Sequence, residues 1–248
     1  METTFLFAGL PIKVIHQYKL IRNLSRDYLT DLIPVIIISV NSGDIDFEKR
    51  SMFLLHGDDS SYSSLKDDYF EFIAVQRKIS DILPVYNRVL FHGSALAIDE
   101  KGIVFTAKSG VGKSTHSEIW RKVFGKKVIM VNDDKPFVKI ASSGSIIYGS
   151  PWDGKHHLSS NVAFPLKAIC FLSRSETNQI LQVNGQDFYS NLFQQIYIPE
   201  DTFVIKKTLS LIDELIKGTK LFDLRCNMDE EAAYVSYKYI MEVLNETE

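Results

Sequence analysis

A chain of 248 residues with 45% hydrophobic and 24% charged side chains has the make-up of a soluble globular protein, large enough for one sizeable core with a small appendage. Its net charge of -3 offers no footprint for nucleic acid, its most apolar run, "IPVIIISV" (33–40), falls far short of the ~20 residues a bilayer span needs, and its N-terminus lacks the basic and apolar regions of a signal peptide. These exclusions point to a cytoplasmic protein without membrane or nucleic-acid partners, and its two cysteines, Cys170 and Cys226, read as buried free thiols without metal spacing.

In chain order, residues 4–15 and 33–40 are β-branched and apolar and predict strands, with helical spacing over "QYKLIRNLSRDYL" between them. Residues 41–64 are rich in Ser, Gly and Asp and read as loop, most clearly "HGDDSSYSS". Residues 65–83 repeat apolar side chains at a helical period, and Pro84 stops them. A boundary near residue 85 follows: 1–85 a small α/β N-terminal portion packed on the core, 86–248 a nucleotide-binding domain.

Beyond that boundary, 88–99 and 103–107 predict a hairpin turning at "KG" (101–102), 114–124 a helix closed by Gly125, and 127–134 a buried strand. "PFVKIA" and "SIIYGSP" flank "SSG" as a second hairpin, and 166–173 is a further strand. Helices over 186–196 and 200–217, a strand over 220–226 and a helix over 230–244 complete the chain. The fold class expected is α/β, a mixed sheet flanked by helices.

The most informative stretch joins the 103–107 strand to the 114–124 helix. Ala107-Lys108-Ser109-Gly110-Val111-Gly112-Lys113-Ser114 fits the phosphate-loop pattern G-x-x-x-x-G-K-[ST] except at its first position. Gly110 and Gly112 supply the backbone freedom for N–H groups to wrap phosphate, and Ala107 needs only an ordinary strand conformation. Lys113 offers a point charge to phosphates, Ser114 a hydroxyl to Mg²⁺, and the helix directs its N-terminus at the anion, with Thr115 next in line. Twenty residues after Lys113, Asp133 and Asp134 end an apolar strand; one carboxylate can serve Mg²⁺, and the crowding of two raises a pKa in a way that suits a general base. His92, in "FHGSA", comes beside the loop if the first hairpin forms, although a lone histidine is more often structural.

"YGSPWDGKHH" (148–157) makes a rigid turn at Pro151 and Gly154 that can direct Trp152 and Lys155 at the phosphates, where Lys155 would neutralise transferring charge; a solvated loop with a packed Trp152 is the alternative. His156 and His157, being adjacent, point apart and do not suggest a metal site. Arg174 and Arg225 are weighed as anion contacts against plain surface positions.

Together, "FHGSALAIDEKGIVFTAKSGVGKST" and "VIMVNDD" resemble the P-loop core of the HPr kinase/phosphorylase and ATP-dependent phosphoenolpyruvate carboxykinase families, over roughly residues 88–175. The likeness is nearest to short stand-alone HPr-kinase-like proteins such as those associated with lasso-peptide tailoring, which carry a Gly-x-Pro-x-x-Gly-Lys-type stretch like 149–155. The resemblance implies a kinase using ATP and Mg²⁺: residues 108–115 on the nucleotide phosphates, Ser114 and Asp134 as metal partners, Asp133 as base toward a serine-type hydroxyl of a peptide, protein or small molecule, and His92 near the γ-phosphate. Two departures stand out. The carboxykinases are about twice this length, and the glutamate- and glycine-containing motif that follows the Asp pair in HPr kinases is missing. A carboxykinase-like lyase and a non-catalytic ATP sensor are the competing readings, and homo-oligomerisation is left open.

Overall fold

The computed structural model describes residues 1–57, 64–154 and 156–246; the "DDSSYS" of the loop reading and Lys155 lie outside the described residues. The chain divides into two compact units, Met1–Ile82 and Leu83–Glu248.

In the first unit, β1 (Glu2–Phe7) and β2 (Leu10–Ile15) form an antiparallel hairpin, and β3 (Ile36–Ser39) joins β2 in parallel. The single strand expected over 4–15 is thus two. Ala8 and Gly9 both take positive φ (50° and 73°), and two left-handed residues in succession reverse a chain tightly. Helix α1 (Leu20–Leu24) is short, and a 3₁₀ turn follows at Arg26–Tyr28. The loop expected from residue 41 begins instead as helix α2 (Ser42–His56). Asn41 caps it, accepting from the N–H of Gly43 and Asp44, while Asp44 accepts from the Asn41 N–H at 2.9 Å. Ser, Gly, Asn and Asp mark loops and helix starts alike, so composition alone does not separate the two. Helix α3 (Asp67–Ile82) is tied to α2 by Lys78–Asp44 at 2.9 Å and Arg77–Glu48 at 2.5 Å. Buried Glu71 on α3 accepts the N–H groups of Gln17 and Tyr18 at 2.5 and 2.9 Å.

The second unit is built on a nine-stranded mixed sheet. Strands β4 (Arg88–Leu90), β8 (Phe137–Lys139), β9 (Ser145–Tyr148), β10 (Ala163–Arg174), β6 (Lys101–Thr106), β5 (Ser94–Ile98) and β7 (Ile129–Asn132) run across it in that order, and β12 (Lys220–Cys226) pairs with β10 and β11 (Gln179–Gln182). Strand β11 has no counterpart in the sequence reading. The β5–β6 turn is Asp99-Glu100, both at positive φ, and not "KG". Gly102 sits inside β6, where a Cβ would come within 2.9 Å of the Pro165 carbonyl oxygen.

Period-2 alternation gives the sheet two apolar faces. Ile103, Phe105, Cys170 and Phe222 point to one, with Trp120 of α4 (Lys113–Phe124) and Ile240 of α7 (Glu230–Asn245). Val104, Ile169 and Leu221 point to the other, under Leu192 of α5 (Gly185–Phe193) and Leu211 and Leu215 of α6 (Thr202–Gly218). Each large apolar side chain wholly buried here contributes roughly 1.5–3 kcal/mol. Cys170 and Cys226 are free and buried.

Strand directions bring the motifs together. β5 runs antiparallel to both β6 and β7, so β6 and β7 are parallel to each other, and β10 and β12 run with them. The carboxyl ends of β6, β7, β10 and β12 and the start of β5 therefore share one end of the sheet, the end where open α/β sheets bind ligands. Among the described residues, no helix is long and apolar enough to cross a membrane.

Candidate active site

The loop leaves β6 at buried Ala107, which does not take positive φ, and reaches α4 through Gly110 (φ 77°) and Gly112 (φ 129°). Left-handed φ favours glycine, and where a Cβ would stand at either position there is open space. Gly112 caps α4 with no side chain to offer, which leaves the first-turn N–H groups facing outward. Lys113 is buried and its Nζ donates to the Ala107 carbonyl at 3.1 Å, bridging the two ends of the loop. Burial pushes its pKa down, against the pull of Asp134, and Lys135 adds to the lowering.

Arg174 grips the loop from outside. Ending β10, it donates from Nη2 to the Gly110 carbonyl at 2.6 Å and from Nε to that of Val111 at 3.3 Å. It holds the loop's backbone, a role that sequence reading did not give it; the only signal was a basic residue ending a strand. Arg225 pairs with Asp223 at 3.2 Å.

The Asn132-Asp133-Asp134 turn is organised by its first residue. Fully buried Asn132 accepts the N–H groups of Asp134 and Lys135 through Oδ1 (2.8 and 2.6 Å) and donates to the Ser150 carbonyl at 3.0 Å. The two carboxylates then part. Asp134 meets His92 Nε2 at 3.3 Å and Lys135 Nζ at 3.1 Å, and its carbonyl accepts the Gly93 N–H at 3.0 Å. Burial would raise its pKa, but His92 and Lys135 outweigh it and hold the carboxyl down at about 2. Asp133 is 3% exposed; Oδ1 accepts the Gly154 N–H at 2.7 Å, while Oδ2 is buried without a hydrogen-bond partner. Burial pushes this carboxyl up, opposed by the Gly154 N–H and assisted by the charges of Asp153 and Asp134.

Trp152 is buried, with its ring edge-on to Phe137 at 5.9 Å, so it packs as a structural side chain and its carbonyl lies near Asn132. Gly154 has no room for a side chain: a Cβ would lie 2.8 Å from Asp133 Oδ2. Exposed His157 pairs with Asp153 at 3.0 Å.

Among the described residues, three cavities border the loop. One of about 270 Å³ lies between α4 and the end of β7, lined by Ser94, Ser114, Ser117, Arg121 and Asp133 among others. A second, of about 370 Å³, reaches from Val111, Gly112 and Thr115 to Arg174 and Asn227. The third, of about 590 Å³, runs from Lys108, Ser109 and Gly110 to Gln195.

Behind the second cavity, His116 is 2% exposed and accepts from Trp120 Nε1 at 3.1 Å, which leaves Nδ1 toward Cys226 Sγ at 3.9 Å. Burial lowers its pKa from 6.5 to about 4. The unfolded chain therefore takes up a proton near pH 6.5 that the folded chain refuses until about pH 4. Stability is full above 6.5 and falls by on the order of 3 kcal/mol as pH drops across that window. A melting-temperature series should show this slope, and His116→Phe should flatten it; an unchanged slope in the variant would assign the effect elsewhere.

No family model and no curated protein matches the chain. Among solved structures, the HPr(Ser) kinase/phosphatase from Coxiella burnetii aligns with a TM-score of 0.35 and 12% identity, covering 62% of this chain and 97% of that one.

Proposed function

We propose that this protein is an ATP- and Mg²⁺-dependent phosphotransferase that moves a γ-phosphoryl group to a hydroxyl. The observation that carries the proposal is the Asp133 carboxylate, buried with one oxygen unpartnered, in a cavity shared with Ser114 of the loop helix. A buried, unsatisfied acceptor is costly to keep. Asp133 and Ser114 border one cavity, where a nucleotide's terminal phosphate would lie if loop residues 108–115 cradle the others.

In this reading the acceptor hydroxyl gives its proton to Asp133 Oδ2 as its oxygen attacks the γ-phosphorus. The bond to the β–γ bridging oxygen breaks, and ADP leaves with the electron pair. Asp133 must be ionised to act, and its raised pKa makes it a stronger base than an exposed aspartate. Lys113 and the first-turn N–H groups of α4 oppose the phosphate charge. The exposed Ser114 hydroxyl and the ionised Asp134 would hold Mg²⁺, which would supply neutralisation of phosphate charge. His92 acts on Asp134, orienting it through Nε2.

Incubation with γ-labelled ATP, Mg²⁺ and cell extract should yield ADP and a labelled acceptor. Tight nucleotide binding without turnover would instead favour a sensor. Gly154→Ala tests the geometry: its Cβ displaces the Asp133 carboxylate, so transfer should fall at least about tenfold while the melting temperature moves little. Full activity in that variant would remove Asp133 from the mechanism.

A further inference from the structure

Resting on the phosphotransfer reading, we infer that Lys135 is a further catalytic residue, whose ammonium contacts the γ-phosphoryl group from the β7 side of the site while Lys113 meets the phosphates from the loop. The backbone of Lys135 is held at both of its polar groups. Its N–H donates to Asn132 Oδ1, and its carbonyl accepts the Ser150 hydroxyl, each at 2.6 Å. Pro136 follows with its ring-locked φ, and its carbonyl accepts the Phe91 N–H at 3.0 Å. The side chain therefore swings from a rigid mount. Its Nζ lies 3.1 Å from Asp134 Oδ2, and His92 Nε2 lies 3.3 Å from Oδ1 of the same carboxylate. The Lys135 and Asp134 side chains are 30% and 33% exposed, so a ligand can reach both from solvent.

Place and charge join this ammonium to the phosphate site. Strands β6 and β7 flank β5 and end on the same side of the sheet, about 10 Å apart at the usual strand spacing. Lys113 follows the first of these ends through the loop, and Lys135 follows the second. The charges of Lys135 and Asp134 are both felt at the Lys113 ammonium. Two ammonium groups thus share one carboxylate in a chain whose net charge is -3, so the positive excess is local. Such an excess suits an anion more highly charged than a carboxylate. The Lys135–Asp134 pair is itself weak, because ion pairs open to water contribute little, and the ammonium can leave Asp134 for a phosphate. Lysine fits that exchange as a compact point charge with three donors on a flexible stem. On the γ-phosphoryl oxygens it would hold the group in line and screen its charge from the attacking oxygen. Lys135 stays protonated throughout: the acceptor's proton still goes to Asp133, and ADP still leaves with the electron pair.

The test compares ATP with ADP, which differ by the group Lys135 is assigned to touch. In the full chain, Lys135→Met removes the charge and keeps most of the length, and Lys135→Gln serves the same comparison if the first variant melts early. Calorimetric titration in excess EDTA, and again with Mg²⁺, should show ATP affinity lowered at least about tenfold in both media, the loss of a charge-assisted hydrogen bond, with ADP affinity changed less than about twofold. Transfer from γ-labelled ATP should fall about 10²-fold, and Lys135→Arg should recover part of both losses. Equal losses for ATP and ADP, an unaltered ATP affinity, or a loss seen only with Mg²⁺ would make Lys135 a support for Asp134 and overturn the inference, while transfer by the native protein keeps the phosphotransfer reading intact. A native protein that binds neither nucleotide, or binds ATP and transfers no label, overturns phosphotransfer itself and the inference with it.

Discussion

Asp133→Asn is expected to lower phosphoryl transfer by about 10²- to 10⁴-fold, the usual contribution of a positioned general base, with nucleotide affinity unchanged. The substitution keeps size and shape, and its Oδ1 can still accept the Gly154 N–H that positions the native carboxylate. It removes only the capacity to take a proton. Stability gives an independent readout of known sign. Burial raises the Asp133 pKa, so the folded state favours the protonated acid, and stability is lost as pH rises through that raised value. The amide carries no such loss, so the variant should melt no lower than the native protein at neutral pH. Native activity should rise with pH as Asp133 ionises, and the variant's residual activity should lack that limb. Loss of nucleotide binding together with transfer would contradict the role, and isothermal titration alongside a transfer assay separates the two.

Lys113→Ala should act earlier in the cycle. Its ammonium is buried, bridges the loop through the Ala107 carbonyl, and is held where phosphate charge would arrive. Hydrogen bonds to charged groups contribute about 1.5–3 kcal/mol, so nucleotide affinity should fall by roughly 10- to 100-fold. Transfer should fall further, by about 10²- to 10³-fold, because negative charge develops on the departing β-phosphate toward the transition state. The fold should persist: Arg174 still grips the loop at Gly110 and Val111, and a desolvated cation has been removed. Titration with a fluorescent ATP analogue, with circular dichroism as the folding control, measures this. Native affinity in Lys113→Ala would mean that the loop does not hold phosphate.

The sheet of the second unit was largely legible in the sequence, because its strands alternate between two apolar faces and its helices carry apolar stripes; both are short-range patterns. The 220–226 strand and the 230–244 helix match β12 and α7 to within a residue. Where local chemistry is ambiguous the reading strayed. Asn41 and Asp44 cap a helix with residues that equally mark a loop, and β11 is too short and polar to announce itself.

For the candidate site, residue types and spacing pointed to the loop and the Asp pair, since phosphate and metal chemistry draw on few side chains, and the family resemblance added His92; the fold brings these residues to one end of the sheet. What distinguishes neighbours came only with the fold. Asp133 and Asp134 are identical in sequence terms, yet one is sealed against Gly154 with a free oxygen and the other is held by His92 and Lys135. Trp152 turned inward onto Phe137, and Arg174, 64 residues along the chain from Gly110, clamps the loop. Neighbouring Lys135 apart, the partners that tell the two carboxylates apart, Gly154 for Asp133 and His92 for Asp134, are distant along the chain and meet them only when β5, antiparallel between β6 and β7, brings the strand ends to one side of the sheet.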